Sequence, residues 1–193
     1  MRTLPTLLAV AMTITMARSA AGQADAAAVN KSTTTKPSTQ PSGPIEHNKL
    51  KTFLPEKLAG LKRKEATSER TEFGNMKFSS AFSTYGGDEN KRDAPEVSLQ
   101  VFDYGSNSPM LQGMTAWTST NVDQEGDHGF TKSLKIQDHP AIQTYLNEGK
   151  AGQMQLLVSE RFLMTINTAN LSVEQFKKLG DELKLKDLAA LAK

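Results

Sequence analysis

Apolar and polar side chains alternate with a period of two in several short runs, which restricts the chain to strands with one buried face. Met76, Phe78, Ser80 and Phe82 alternate with Lys77, Ser79 and Ala81, and Val97, Leu99 and Val101 alternate with Ser98 and Gln100. Successive strand residues point to opposite sides, so each run supplies one apolar and one polar surface. Further strands are expected at 130–136, 141–146, 154–158 and 162–166. Residues 63–72 read as a polar edge strand whose charges discourage edge-to-edge pairing.

Two helices interrupt this pattern. Ser108-Pro109 opens the first, with a hydroxyl at the N-cap and proline at the first helical position, where no donor is needed. Met110, Met114 and Trp117 follow at helical spacing on one face, and Gly113 weakens the helix. The second begins at Ser172, with Gln175 completing a capping box and Leu171 and Phe176 forming a hydrophobic staple. Phe176, Leu179 and Leu183 continue its apolar face, and Lys184 and Lys186 suit its negative pole. Leu185, Leu188 and Leu191 suggest a further short turn on the same core. Residues 49–61 form a lead-in segment, with Leu50, Phe53, Leu54, Leu58 and Leu61 at turn-like spacing broken by Pro55. The expected fold is α+β: a mostly antiparallel sheet of about six or seven strands, one inserted helix and a C-terminal helix packed on the sheet.

The N-terminus predicts export. Arg2 precedes an apolar stretch from Leu4 to Met16, followed by small residues Ser19, Ala20, Ala21 and Gly22. That is the pattern of a signal peptide over 1–24, too short to span a bilayer. Residues 25–43 are Ala, Ser, Thr, Pro and Gln with two lysines. This segment cannot bury enough apolar area to offset its ordering entropy and reads as a disordered spacer. Residues 44–193 then form a single domain. The mature protein is expected in the periplasm or outside the cell, with no integral membrane segment. The chain contains no cysteine, so an exported domain of this size must hold together by burial alone.

Arg2, Arg18, Lys31 and Lys36 all precede Pro44. Of 23 Lys and Arg and 21 Asp and Glu in the chain, 19 and 20 remain from Pro44 onward, a net charge of −1. No nucleic-acid surface is expected from such a balance. Asp123, Glu125 and Asp127 occupy alternate positions as in a calcium loop, but His128 stands where an EF-hand needs glycine and Leu134 where it needs glutamate. His47, His128 and His139 share no ligand spacing, and no nucleophile elbow, P-loop or dinucleotide fingerprint is present. No metal, cofactor or enzymatic activity is expected.

The Phe53-Leu54-Pro55 lead-in, the run of antiparallel strands, the inserted helix and the Ser172–Gln175 helix start together resemble the PsbP/DcrB-like fold group of small exported domains. That resemblance covers most of residues 44–193 and implies binding, assembly or accessory roles, with no shared catalytic site. The leading expectation is therefore a non-enzymatic exported domain that binds a protein partner or small ligand. The alternative is a carrier of an apolar ligand such as a lipid, held between the sheet and the Met110, Met114 and Trp117 helix. The carrier needs an apolar cavity there, whereas a protein-binding module needs a filled core and an exposed apolar patch. A third reading, a hydrolase using Asp103, Asp127 and His128, requires those side chains to lie within about 10 Å of one another.

Overall fold

The structure, a computed structural model, describes residues 43–74, 76–87, 93–106 and 108–192. The expected signal peptide, and all of the expected spacer except Gly43, lie outside the described residues.

After a short helix α1 (His47–Lys51), the chain forms strands β1 (Lys57–Leu58), β2 (Leu61–Phe73), β3 (Met76–Gly86) and β4 (Glu96–Asp103). A crossover carries helix α2 (Pro109–Met114) and a 3₁₀ turn at Ala116–Ser119. A second meander follows: β5 (Asp123–Gly126), β6 (Gly129–Ile136), β7 (His139–Leu146), β8 (Ala151–Val158) and β9 (Phe162–Ala169). The chain ends in α3 (Val173–Lys178), a 3₁₀ turn at Leu179–Glu182 and α4 (Leu185–Ala190). All nine strands join one antiparallel sheet in the order β1-β2-β3-β4-β9-β8-β7-β6-β5, with β4 and β9 joining the two meanders.

The sheet therefore has nine strands where six or seven were expected, and the two additions are its outermost strands. β1 has only two residues and was read as part of the lead-in. β5 was read as an acidic loop, because alternating carboxylates hide a strand period when no apolar residue marks the inner face. The expected edge strand 63–72 is β2, which β1 covers only at Lys62 and Leu61.

One face of the sheet is the main core. Val97, Leu99 and Val101 of β4, Phe162, Met164 and Ile166 of β9, and Met154, Leu156 and Val158 of β8 are all buried on it. Leu50, Leu54 and Leu58 pack there from the lead-in, and Phe176, Leu179, Leu183, Leu185 and Leu188 from the C-terminal segments. The capping box forms as expected: Ser172 Oγ accepts from the Gln175 N–H and Gln175 Oε1 from the Ser172 N–H, with Leu171 and Phe176 fully buried. α3 stops at Lys178, so Lys177 and Lys178 sit at its negative pole, and Lys184 instead stands at the N-cap position of α4 without a side-chain capping bond. Phe176 lies so close to β8 that a Cβ on Gly152 would come within 2.5 Å of its ring.

Candidate binding surfaces

The opposite face of the sheet is only partly covered. The crossover lies over one end of it, where Leu111 packs with Tyr104, Leu157 and Leu163, and Phe78, Phe102 and Trp117 complete an apolar cluster. The Phe102 and Tyr104 rings stack with centroids 5.7 Å apart, and Phe78 tilts against both.

The remainder of this face is open, and strand register lines its side chains into two unbroken rows. The first runs Glu65, Thr84, Ser98, Asn167, Gln153, Thr144, Thr131, Gln124 from β2 to β5. The second runs Thr67, Phe82, Gln100, Thr165, Gln155, Ile142, Ser133. All are exposed or half-buried, and Glu65 at the margin is the only charged residue among them. At about 4.8 Å per strand the longer row spans about 34 Å. Solvated surfaces of small domains are usually about a quarter to a third charged, so this neutrality sets the two rows apart from the flanking positions of the same face, which include Lys62, Glu69, Glu96 and Lys135. Gln153 Nε2 donates to Asn167 Oδ1, and the hydroxyls of Thr131 and Thr144 share a hydrogen bond, which fixes part of the array. At the tip of the β2–β3 hairpin the same face ends in Phe73, 74% exposed, opposite Met76.

The residues expected to bind a ligand are divided by this geometry. α2 has only six residues and turns Leu111 inward, leaving Met110 and Met114 outward at 39% and 40% exposure. Trp117 belongs to the following 3₁₀ turn and packs on the aromatic cluster, so the three side chains do not form one inner helical face. Ser108 stands at the N-cap with Pro109 after it, although its side chain makes no capping bond. The space expected for an apolar carrier is taken by Leu111, Tyr104, Leu157 and Leu163. A cavity of about 550 Å³ does adjoin the crossover, but Gln112, Thr115, His139 and Glu160 are among its lining residues.

Asp103 is fully buried and committed to structure. Arg161, itself 2% exposed, grips it through two bonds, Nε to Oδ1 at 2.9 Å and Nη2 to Oδ2 at 2.8 Å. The backbone N–H groups of Ile45 and Gly105 also donate to this carboxylate. Arg161 Nη2 further donates to the Gly43 carbonyl, so the pair pins the beginning of the described chain to the sheet. Ser159, Glu160 and Arg161 link β8 to β9 through a tight turn. Ser159 and Glu160, both with φ of 52°, form it, while Arg161 turns inward. The missed signal was Asp103 itself, which shares inward parity with Val97, Leu99 and Val101 and therefore requires a buried cation. Asp127 and His128 sit in the β5–β6 turn, four strands from β4 and at the other end of the strands. At about 4.8 Å per strand and 3.3 Å per residue, that places them on the order of 20–30 Å from Asp103 along the sheet. The hydrolase arrangement is not assembled.

A second cleft, of about 390 Å³, opens on the core face where β5, β6 and β7 emerge beside α3. Phe130, Lys132, Gln143 and Lys177 are among its lining residues. Lys132 Nζ reaches Glu125 Oε2 at 2.6 Å and Asp123 Oδ1 at 3.5 Å, so an ammonium occupies the position that a cation bound by the acidic segment would take. This hydrogen bond and charge lower the Glu125 pKa and raise that of Lys132. The Lys132 and Lys177 ammonium groups stand 5.9 and 5.0 Å from the Phe130 ring centroid. Gln143, 4% exposed, leaves its buried Nε2 without a hydrogen-bond partner. Such an unmet donor costs about 1–3 kcal/mol.

Among the described residues, no group of three or more His, Cys, Asp or Glu is arranged to hold a metal, and no helix is long and apolar enough to cross a membrane. No protein-family model matches the chain, and no curated protein or solved structure is significantly similar to it.

Proposed function

We propose that this is an exported, non-enzymatic accessory domain that binds a protein partner through the open face of its sheet. The observation that carries this reading is the pair of charge-depleted rows, on a face that also presents exposed Phe73 and Met76 at the tip of the β2–β3 hairpin. Depletion of charge at the centre, with aromatic and methionine residues enriched, is the compositional mark of protein interfaces. Met110 and Met114, outward on the crossover that covers the same side of the sheet, extend the apolar fringe. The packed core on the other face leaves the domain rigid enough to present this surface without rearrangement. Export rests on the leader composition of residues 1–24.

Photo-crosslinking in exporting cells tests the reading. A crosslinking residue at Thr165 or Gln155, on the open face, should give one discrete adduct, whereas one at exposed Lys186 on α4 should give none. Thr165→Arg should remove the adduct formed from Gln155 while leaving the circular dichroism unchanged. Adducts of equal yield from both sides, or an adduct indifferent to Thr165→Arg, would refute it.

A further inference from the structure

We infer that the cleft between β5–β7 and α3 is a separate small-molecule site, and that its ligand is an organic carboxylate with a short apolar body. A glutamine occupies the inward row of β7 between Ala141 and Tyr145, where an aliphatic side chain would fill the core with no polar group to satisfy. Its Nε2 is buried without a partner and the side chain lines the cleft, so a ligand oxygen that reached this wall would meet an unsatisfied donor. Lys132 is directly opposite Gln143 in register. Lys177 approaches the same Phe130 ring from α3 and makes no ion pair among the described residues. Two ammonium groups and an amide side chain thus line the cleft, Lys132 in close ion pairs with Asp123 and Glu125, and Lys177 with Glu125 and Glu174 only at longer range. A carboxylate placed there accepts from Gln143 and balances Lys177. Phe130 and Leu134 supply the apolar wall along which the body of the ligand lies.

The full chain, labelled with nitrogen-15, would be titrated with hexanoate, benzoate, inorganic phosphate and hexanol, following the Gln143 side-chain amide by NMR. Saturable shifts with hexanoate and benzoate are expected, and none with hexanol. Gln143→Met should abolish hexanoate binding, read from neighbouring backbone amides. Lys177→Glu, a surface change that leaves the core intact, should weaken it by about tenfold or more. No saturable response to either carboxylate, equal affinity in both variants, or hexanol binding as tightly as hexanoate would overturn the site. Saturation by phosphate alone would overturn the organic ligand. None of these results depends on a partner for the open face.

Discussion

The two faces of the sheet are built from the same strands by opposite criteria. β9 places Phe162, Met164 and Ile166 on the covered face and Thr165 and Asn167 on the open one. β4 does the same with Val97, Leu99 and Val101 against Ser98 and Gln100. The covered side is selected for volume, and its fully buried charges form an ion pair, Asp103 with Arg161, in which Arg161 Nη1 is left without a partner. The open side carries two neutral rows across its middle, with the crossover over one end and its charges, Lys62, Glu69, Glu96 and Lys135, outside those rows. Strand propensity alone does not make this distinction, since threonine and valine are both good strand formers. Position relative to the layer of helices does.

Breaking the buried pair should have the largest effect. Asp103→Ala leaves Arg161 charged, buried and short of its two carboxylate bonds, and loss of about 3–5 kcal/mol is expected by chemical denaturation. The lead-in should loosen with it, because Ile45 donates to the same carboxylate, and amide exchange at Ile45 reports that directly. The next contrast is across the faces. Leu99→Ala, at a fully buried site, should cost about 2–5 kcal/mol. Thr165→Ala on the open face should stay within about 0.5 kcal/mol. Comparable losses at the two positions would mean that the open face is covered in solution.

Much of this two-sided plan was legible beforehand. Six strands announced themselves by their apolar runs, β2 by its polar, charged sequence, and the start of α3 by its capping box, because all of these signals are local. The inward positions of Asp103 and Gln143 were also open to parity, although their partners and surroundings depend on strands far away in sequence. α2 shows where periodicity misleads. Met110, Met114 and Trp117 share a face only if the helix continues, and it ends at Met114 before a 3₁₀ turn. The neutral rows were invisible for a different reason. Each takes one residue from each of seven or eight strands, so it exists only once the complete register is known.

The fit between sheet and helices can be probed without touching charge. Gly152 lies under α3, and a Cβ there would meet Phe176 at 2.5 Å and Thr168 Oγ1 at 2.8 Å. Phe176 is fully buried and tilted against the rings of Tyr145 and Phe130, which leaves it little room to yield. Gly152→Ala is expected to destabilise by about 1–3 kcal/mol through overpacking. A melting temperature equal to the wild type would show that α3 can lift from the sheet at little cost, and the cleft beside it would then be adjustable.

The smallest effect belongs at the margin where the covered face meets solvent. Glu125 is fully exposed, and its hydrogen bond and charge interaction with Lys132 lower its pKa from the ordinary 4.5. A carboxyl lowered in the folded state binds fewer protons than in the unfolded chain, so its contribution is complete above the unfolded pKa and disappears as pH falls through the folded value. The raised pKa of Lys132 has the complementary sense: its contribution is complete below the unfolded value of 10.5 and is lost as pH rises through the folded one. Lys132→Met should therefore lower the melting temperature slightly near neutral pH. The difference from wild type should disappear as pH falls through the lowered folded pKa of Glu125, and shrink in about 1 M salt as the charges are screened. A difference that persists in acid and high salt would assign Lys132 a packing role over Phe130 instead of an electrostatic one, and would move this strand margin from the solvated edge into the core.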